Sequence, residues 1–580
     1  MTVRDLRKHT TLTPMLAHAI CKSMYLACVM AVVISIFSNQ IDAAKPKSTG
    51  QASSYQVSKL YSSNQHSKLT YHAAVVDFAP VSFPFQFPQL NSETARKILK
   101  SNLDEFEKII MDIMNHSTTL DRPDIIVFPE YALFGPGLTE REKLRLFFEP
   151  IPNHLPVTNI CGSSQYDQYY ILKRISCLSA KFGAYIVFNM GDVQKCNLKT
   201  NKNCPADGMF LFNTNVVFDR NGSLISKYHK THLYFENGID PGDGTPVYFE
   251  TDFGVKFGLL ICFDIIFEEP LNSLLNDIKV DAIAFTSWWV NFPPYWNALP
   301  FQQALSYTYG IHLIAASSGT SYTSSGSGIH MKGKSMGVYN PSFKGRSQTV
   351  SSQTSSAATY SVTTMNDQLV KTKRVVPMQD MRMLSDRSNP QHQLTSFTFA
   401  DPNHSNFSTI IPFIPVKGKS YDFPEIVAGS TSCNFKFTVS PFSNITENDS
   451  NNYFAMVVTD GKVFKPKFEQ ASCSVMKCGS YLNCFIFLEW KLLVKDSEVV
   501  LSDLTIEMQA MENEWREDVF PMLLGDQGNL FIGDLHSSSF FKTNAALNMQ
   551  TNKTPAYVSV KNVKNKFLGG TLLSLKRPKK

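Results

Sequence analysis

Phe257-Gly258-Leu259-Leu260-Ile261-Cys262-Phe263-Asp264 is the stretch on which the fold turns. The apolar run is short and reads as a buried strand that delivers a thiol at its carboxyl end. Two upstream runs do the same with other groups. Asp124-Ile125-Ile126-Val127-Phe128-Pro129 ends in Glu130, and Ser226-Lys227-Tyr228-His229 leads into Lys230. Open α/β sheets bind ligands outside the carboxyl ends of their strands. A carboxylate, an ammonium and a thiol, each just beyond a strand, therefore point to one converging site.

The surrounding sequence alternates between the two periodicities. A first strand is expected at Tyr71–Phe78. A helix over Ser92–Met114 follows, with Ser92 as its N-cap and Ala95, Ile98, Leu99, Leu103, Phe106, Ile109 and Ile110 recurring at three- and four-residue intervals. A helix at Tyr170–Lys181 leads to a strand at Ala184–Asn189. A hairpin pairs Phe210–Phe218 with Leu224–His229 around Asp219-Arg220-Asn221-Gly222, where Asn-Gly is the turn signal. A strand at Val280–Phe285, a helix at Gln302–Tyr309 and a strand at Ile311–Ala316 complete the pattern. Such alternation predicts a layered α/β domain over residues 71–345. A Ser/Thr-rich stretch, 346–392, reads as a connector or insertion. From 393 to 580 the pattern is β-rich, with strands expected at Gln393–Phe399, Ser408–Ile414, Asn434–Val439, Tyr453–Thr459 and Cys484–Val494.

A chain of 580 residues exceeds one ordinary core, and its 43% hydrophobic and 18% charged residues are those of a folded protein. The net charge of +6 is a weak bias, and the basic tail Lys576–Lys580 reads as a solvated terminus, so no nucleic-acid partner is expected. Arg4, Arg7 and Lys8, the apolar stretch Met24–Phe37 and the small residues Ala43 and Ala44 read as a signal peptide over residues 1–44, with cleavage expected near Ala44 and an uncleaved signal anchor as the alternative. The apolar stretch falls short of the roughly 20 residues of a membrane span. Residues 45–70 read as a linker, and no hydrophobic tail specifies a lipid (GPI) anchor. The expected location is extracellular, with no stable membrane anchor.

Asn115, Asn221, Asn403, Asn406, Asn444, Asn448 and Asn552 each begin a glycosylation sequon. Of 11 cysteines, Cys21 and Cys28 lie in the signal segment. The remainder is odd, which in an oxidising compartment predicts disulfides plus one free thiol, Cys262. Cys161 with Cys177, and Cys196 with Cys204, are local candidates. Cys433, Cys473, Cys478 and Cys484 leave three connectivities open. No C-x-x-C and no histidine pair near them has ligand spacing, so no metal site is expected. There is also no G-x-S-x-G elbow, phosphate-binding loop or H-E-x-x-H motif.

A thiol attacks a carbonyl as thiolate and needs a base or a cation beside it. Glu130 supplies the base. Lys230 stabilises first the thiolate and then an oxyanion, with the Phe263 N–H as second donor. The chemistry is acyl transfer through a thioester, with no metal or organic cofactor. Taken singly, the residues have plainer readings: a core or disulfide cysteine, a loop glutamate, a surface lysine. Their order and spacing set those aside.

That order and spacing resemble the nitrilase superfamily, which cleaves carbon–nitrogen bonds with a Glu-Lys-Cys triad. The segment Asp219 to Glu236, the run Ile261-Cys262-Phe263-Asp264-Ile265-Ile266-Phe267, the Cys196/Cys204 pair with Pro205-Ala206-Asp207-Gly208, and Phe212-Asn213-Thr214-Asn215-Val216-Val217-Phe218 are similar to the pantetheinase (vanin) and biotinidase branch. So are Ser287 to Asn291, Gly326-Ser327-Gly328-Ile329-His330 and Thr459-Asp460-Gly461. The resemblance implies an α-β-β-α sandwich followed by a β-rich C-terminal domain. It implies Glu130 as base, Lys230 as stabiliser and Cys262 as nucleophile, and a second glutamate after the lysine, for which Glu236 is the candidate and Glu250 the competitor. Asp264 is expected to cap the helix after the thiol. Trp289 and Asn291 are candidate pocket residues, with a core role for Trp289 as the alternative.

The chain departs from the branch at Tyr131-Ala132-Leu133, where relatives carry an acidic or small residue after the glutamate, and in the 317–392 region. The resemblance implies a small-molecule amide substrate, pantetheine first and biocytin second. The rival from another class is a non-catalytic extracellular binding protein on the same scaffold.

Overall fold

The computed structural model describes residues 71–338 apart from short gaps, and strand-bearing segments between 348 and 576. The expected signal peptide and linker lie outside the described residues, as do Asn403, Asn406, Asn444, Asn448, Asn552, Cys478, Cys484 and the strand expected at Cys484–Val494.

Two sheets carry the first part of the chain. One runs, edge to edge, Tyr360–Thr364 (β14), Gln348–Gln353 (β13), His72–Asp77 (β1), Ile125–Val127 (β2), Tyr185–Lys195 (β4), Met209–Phe218 (β5) and Leu224–His229 (β6), with the two-residue Phe148–Glu149 (β3) beside β4. The other runs Lys334–Val338 (β12), Ser327–Met331 (β11), His312–Ser317 (β10), Ala282–Ser287 (β9), Lys256–Ile261 (β8) and Tyr248–Glu250 (β7). Strands β1, β2 and β4 are parallel, as are β8, β9 and β10. Because β5 is antiparallel to both β4 and β6, β6 again points the same way as β4. Two segments of the Ser/Thr-rich stretch are thus strands, and β13 pairs antiparallel with β1.

Successive strand side chains point to opposite faces, and the core divides accordingly. Ala73 and Val75 of β1, Ile125 and Val127 of β2 and Val187 of β4 join Leu259, Ile261 and Ala284 in one buried cluster between the sheets. Their neighbours Ala74, Val76, Ile126 and Ile186 face instead a helical layer formed by Ser92–His116 (α1) and Tyr170–Phe182 (α2). The second sheet is covered by Ala298–Tyr309 (α3), whose Phe301, Ala304 and Leu305 belong to the first cluster. The order is helix, sheet, sheet, helix. The N-cap of α1 is Asn91, whose Oδ1 accepts the Thr94 N–H at 2.9 Å, and Ser92 is the first helical residue. Two residues, not one, compete for that role locally, and the longer Asn side chain reaches the donor.

The hairpin forms as expected. Gly222 takes φ +78 and donates its N–H to the Asp219 carbonyl at 2.9 Å. A Cβ there would sit 2.4 Å from the Ser176 carbonyl of α2, so the glycine also permits the close approach of helix and turn.

Beyond β14 the chain builds two further sheets, of six and four strands, with their own buried cluster around Cys433, Phe435, Val458, Cys473, Leu504 and Ile506. Met522 and Leu573 of this part enter the cluster that lies between the first two sheets and under α3. Three disulfides are formed among the described residues: Cys161–Cys177, Cys196–Cys204 and Cys433–Cys473. The last joins a strand of one C-terminal sheet to a strand of the other. No described helix is long and apolar enough to cross a membrane.

Candidate active site

Four chain segments reach the same edge of the two sheets. Glu130 lies three residues past β2, Lys230 follows β6, Cys262 follows β8 and Trp288 follows β9. The Lys230 Nζ is 2.8 Å from Glu130 Oε1 and 2.7 Å from Glu236 Oε2. All three side chains are buried. The Nδ2 of Asn213, on β5, donates to Glu130 Oε1 and to Glu236 Oε1, each at 2.7 Å. Asn213 is held in turn by Asn189, midway along β4, whose Nδ2 donates to Asn213 Oδ1 at 2.7 Å while its Oδ1 accepts the Tyr131 N–H at 3.1 Å.

Cys262 is buried and is the one free cysteine among the described residues. It begins a five-residue 3-10 turn with φ +46, a left-handed conformation for a residue with a side chain. Such a φ is costly and persists only where surroundings over-determine it. Two backbone contacts bring the thiol and the carboxylate together. Cys262 Sγ lies 3.6 Å from the Trp288 carbonyl oxygen, and the Trp288 N–H donates to Glu130 Oε2 at 2.6 Å.

Asp264 does more than cap the turn. Its carboxylate accepts the Ile261 N–H at 3.2 Å and the Tyr228 hydroxyl at 2.8 Å, and also the Thr231 and His232 N–H groups at 3.2 and 2.7 Å. One buried side chain thereby fastens the segment around Lys230 to the segment around Cys262. Burial pushes this carboxyl up to about 7.

The electrostatics separate the two glutamates. Burial is the largest influence on Glu130 and raises it, with the Glu236 charge adding to the rise and Lys230 opposing it. Burial also disfavours ionised Glu236. There the Lys230 charge and hydrogen bonds from Lys230, Tyr131 and the Tyr234 N–H outweigh it and hold the carboxyl below the usual range. Burial works against the Lys230 charge too, but Glu130, Glu236 and Cys262 keep the ammonium well above its ordinary value. The Cys262 thiol is raised well above the ordinary range by burial and by Glu130, with Lys230 opposing. At rest the thiol keeps its proton, so nucleophilic attack has to be coupled to proton transfer onto a neighbouring carboxylate.

A pocket opens at the thiol, lined with Cys262 by Tyr234, Phe263, Ile266, Trp288, Trp289, Val290 and Trp296. Trp289 lines this space and also packs in the core, with Nε1 donating to the Trp296 carbonyl at 2.6 Å. Asn291 lies outside the lining, and its Oδ1 accepts the Ala298 N–H at 2.7 Å at the start of α3. Glu250 is exposed on β7, 3.8 Å from Lys256, and Glu236 is the glutamate at the lysine. Asn115 and Asn221 are both exposed.

Residues 89–318 match the carbon-nitrogen hydrolase family. This part of the chain is thus similar to a carbon–nitrogen hydrolase domain. The domain is 34% identical to mouse (Mus musculus) biotinidase over 278 residues, 47% of this chain and 52% of that protein. It is 34% identical to pig (Sus scrofa) pantetheinase over 251 residues, 42% and 46% of the two chains. Human (Homo sapiens) pantetheinase is 32% identical over 291 residues, 49% and 52%. The chain spans about half the length of the curated relatives it matches. Among solved structures, Saccharomyces cerevisiae Nit3, a member of branch 10 of the nitrilase superfamily, aligns over 49% of this chain and 90% of its own at 18% identity, with a TM-score of 0.35.

Asn213, Tyr131 and the Trp288 backbone are not marked out for the site by the sequence. The available signal was Asn213 and Asn215, two amides inside the apolar run of β5, where a buried polar side chain needs partners.

Proposed function

We propose that the chain is a secreted amidohydrolase that cleaves a linear amide through a thioester on Cys262, with pantetheine, giving pantothenate and cysteamine, as its first substrate. The observation that carries this reading is a buried Lys230 held between Glu130 and Glu236, beside a cysteine that stays out of disulfides. The similarity to pantetheinases and biotinidases supports it, and the three disulfides support an oxidising compartment.

In the cycle, Cys262 Sγ bonds to the amide carbonyl carbon as its proton passes to Glu130. The oxyanion is stabilised by the Lys230 ammonium and the Phe263 N–H. One such donor is typically worth about 10²–10³ in rate. The carbon–nitrogen bond breaks, and the amine leaves with the proton from Glu130. Water, deprotonated by Glu130, then attacks the thioester, and the acid and the thiol are released. Glu236 stays ionised and balances Lys230, which leaves Glu130 to take and return the proton. The aromatic wall over Cys262 suits an uncharged group next to the scissile amide.

Biocytin hydrolysis is the second reading, because the biotinidase similarity equals that to pantetheinase. Incubation of the purified protein with each amide separates the two. The expected result is cysteamine release from pantetheine and, on rapid quenching, a pantothenoyl adduct on Cys262 seen by intact mass. Cys262→Ala should fold and be inactive. Release from neither amide, together with a Cys262 that thiol probes do not label, would leave a binding protein on an amidase scaffold.

A further inference from the structure

Tyr131 is a residue for which the proposed cycle has no role, yet its side chain enters the centre of the site. It follows Glu130 directly, with φ +55, and is buried. Its hydroxyl donates to Glu236 Oε1. The same oxygen accepts Asn213 Nδ2, which also donates to Glu130 Oε1. The other Glu236 oxygen holds Lys230 and accepts the Tyr234 N–H at 3.0 Å. Glu236 thus receives four donors, whereas Glu130 receives Lys230, Asn213 and the Trp288 N–H. Hydrogen bonds to the charged form of a carboxylate favour that form. With one ammonium between two buried carboxylates, the better-solvated one stays ionised, and a proton that the pair takes up goes to the other.

We propose that Tyr131 is a positioning residue that assigns the proton of the Glu130–Glu236 pair to Glu130, by giving Glu236 the phenolic donor that keeps it a carboxylate. This rests on the reading of Glu130 as the base that serves Cys262. The groups that face the pair are Tyr131 from the segment after β2, Asn213 from β5, Lys230 after β6 and Cys262 after β8, and Asp264 also feels the Lys230 charge. Burial and both neighbouring carboxylates hold the Tyr131 phenol well above its ordinary value, so it remains a donor across the working range. Loss of this donor raises the affinity of the pair for its proton. The sign follows: the acid limb, which rises as the pair deprotonates, moves to higher pH.

The test uses iodoacetamide alkylation of Cys262 against pH, so it needs no assumption about the substrate. In Tyr131→Phe the acid limb should move up by about one pH unit, the equivalent of one charge-assisted hydrogen bond. In a Glu236→Gln background the same change should move it no further, because the effect passes through Glu236. If Tyr131→Phe fails to fold, Tyr131→3-fluorotyrosine, a stronger donor of the same shape, should move the limb down. A limb that stays in place in the folded variants, or an equal fall in rate at every pH, overturns the proposal. A wild-type Cys262 that alkylates like an ordinary exposed thiol, or not at all, would instead remove the amidase reading beneath it.

Discussion

Two carboxylates, Glu130 and Glu236, share the Lys230 ammonium at 2.8 and 2.7 Å, all within a buried site. Replacing that lysine leaves two facing carboxylates without a cation. They cannot both stay ionised there, since like charges at such spacing push one proton back on. Lys230→Met should therefore lower kcat by about 10²-fold or more through the lost oxyanion donor. It should also destabilise the fold by about 3–5 kcal/mol, the usual cost of breaking a buried pair. Steady-state kinetics and denaturant unfolding check the two effects separately. At this scale the sequence is informative only about residues that end a strand. Glu130, Lys230 and Cys262 each follow an expected strand, and that position marks them. Asn213 sits inside one, and its partner Glu130 is 83 residues away. Nothing local shows that the two meet.

At the scale of elements, the strands and helices near the site were legible because burial imposes the period. The α1 helix spans Ser92–His116, and β6 spans Leu224–His229, as their patterns require. The strand β4 runs on to Lys195, past the expected end at Asn189. Its last residues pair with the start of β5 and with Phe148–Glu149, partners that no local signal announces. That contact has a consequence at Gly191. A Cβ there would lie 2.1 Å from Phe148 Cδ1, in a buried aromatic contact that cannot simply swing away. Gly191→Ala should cost about 1–3 kcal/mol by overpacking. Its signature is a lowered thermal midpoint with kcat retained in the surviving folded fraction. An unchanged midpoint would mean that Phe148 repacks freely.

At the scale of the whole molecule, the C-terminal β sheets are more than an appendage. Met522 and Leu573 are buried in the cluster that also contains Ile283, Phe301 and Leu305 under α3. A charge at either position would be buried without a partner. Met522→Asp should then destabilise the domain of the first two sheets itself by several kcal/mol, on the order of other buried-charge mutants. Hydrogen exchange would locate the effect: amides of α3 and β10 should exchange faster, and the C-terminal strands should not be alone in doing so. Unaltered protection of α3 would mean that the two parts unfold independently.

Taken by itself, the order of residues determined the alternation of strands and helices, the β-rich ending and the three groups that close their strands. It did so because apolar periodicity and chain-local turn chemistry act over a few residues. The tertiary structure alone decided which glutamate meets Lys230, which cysteine of the last four meets Cys433, and that Tyr131, Asn213 and the Trp288 backbone complete the site. Those contacts join segments tens of residues apart, and they form only when parallel strands from two packed sheets bring their carboxyl ends to one edge.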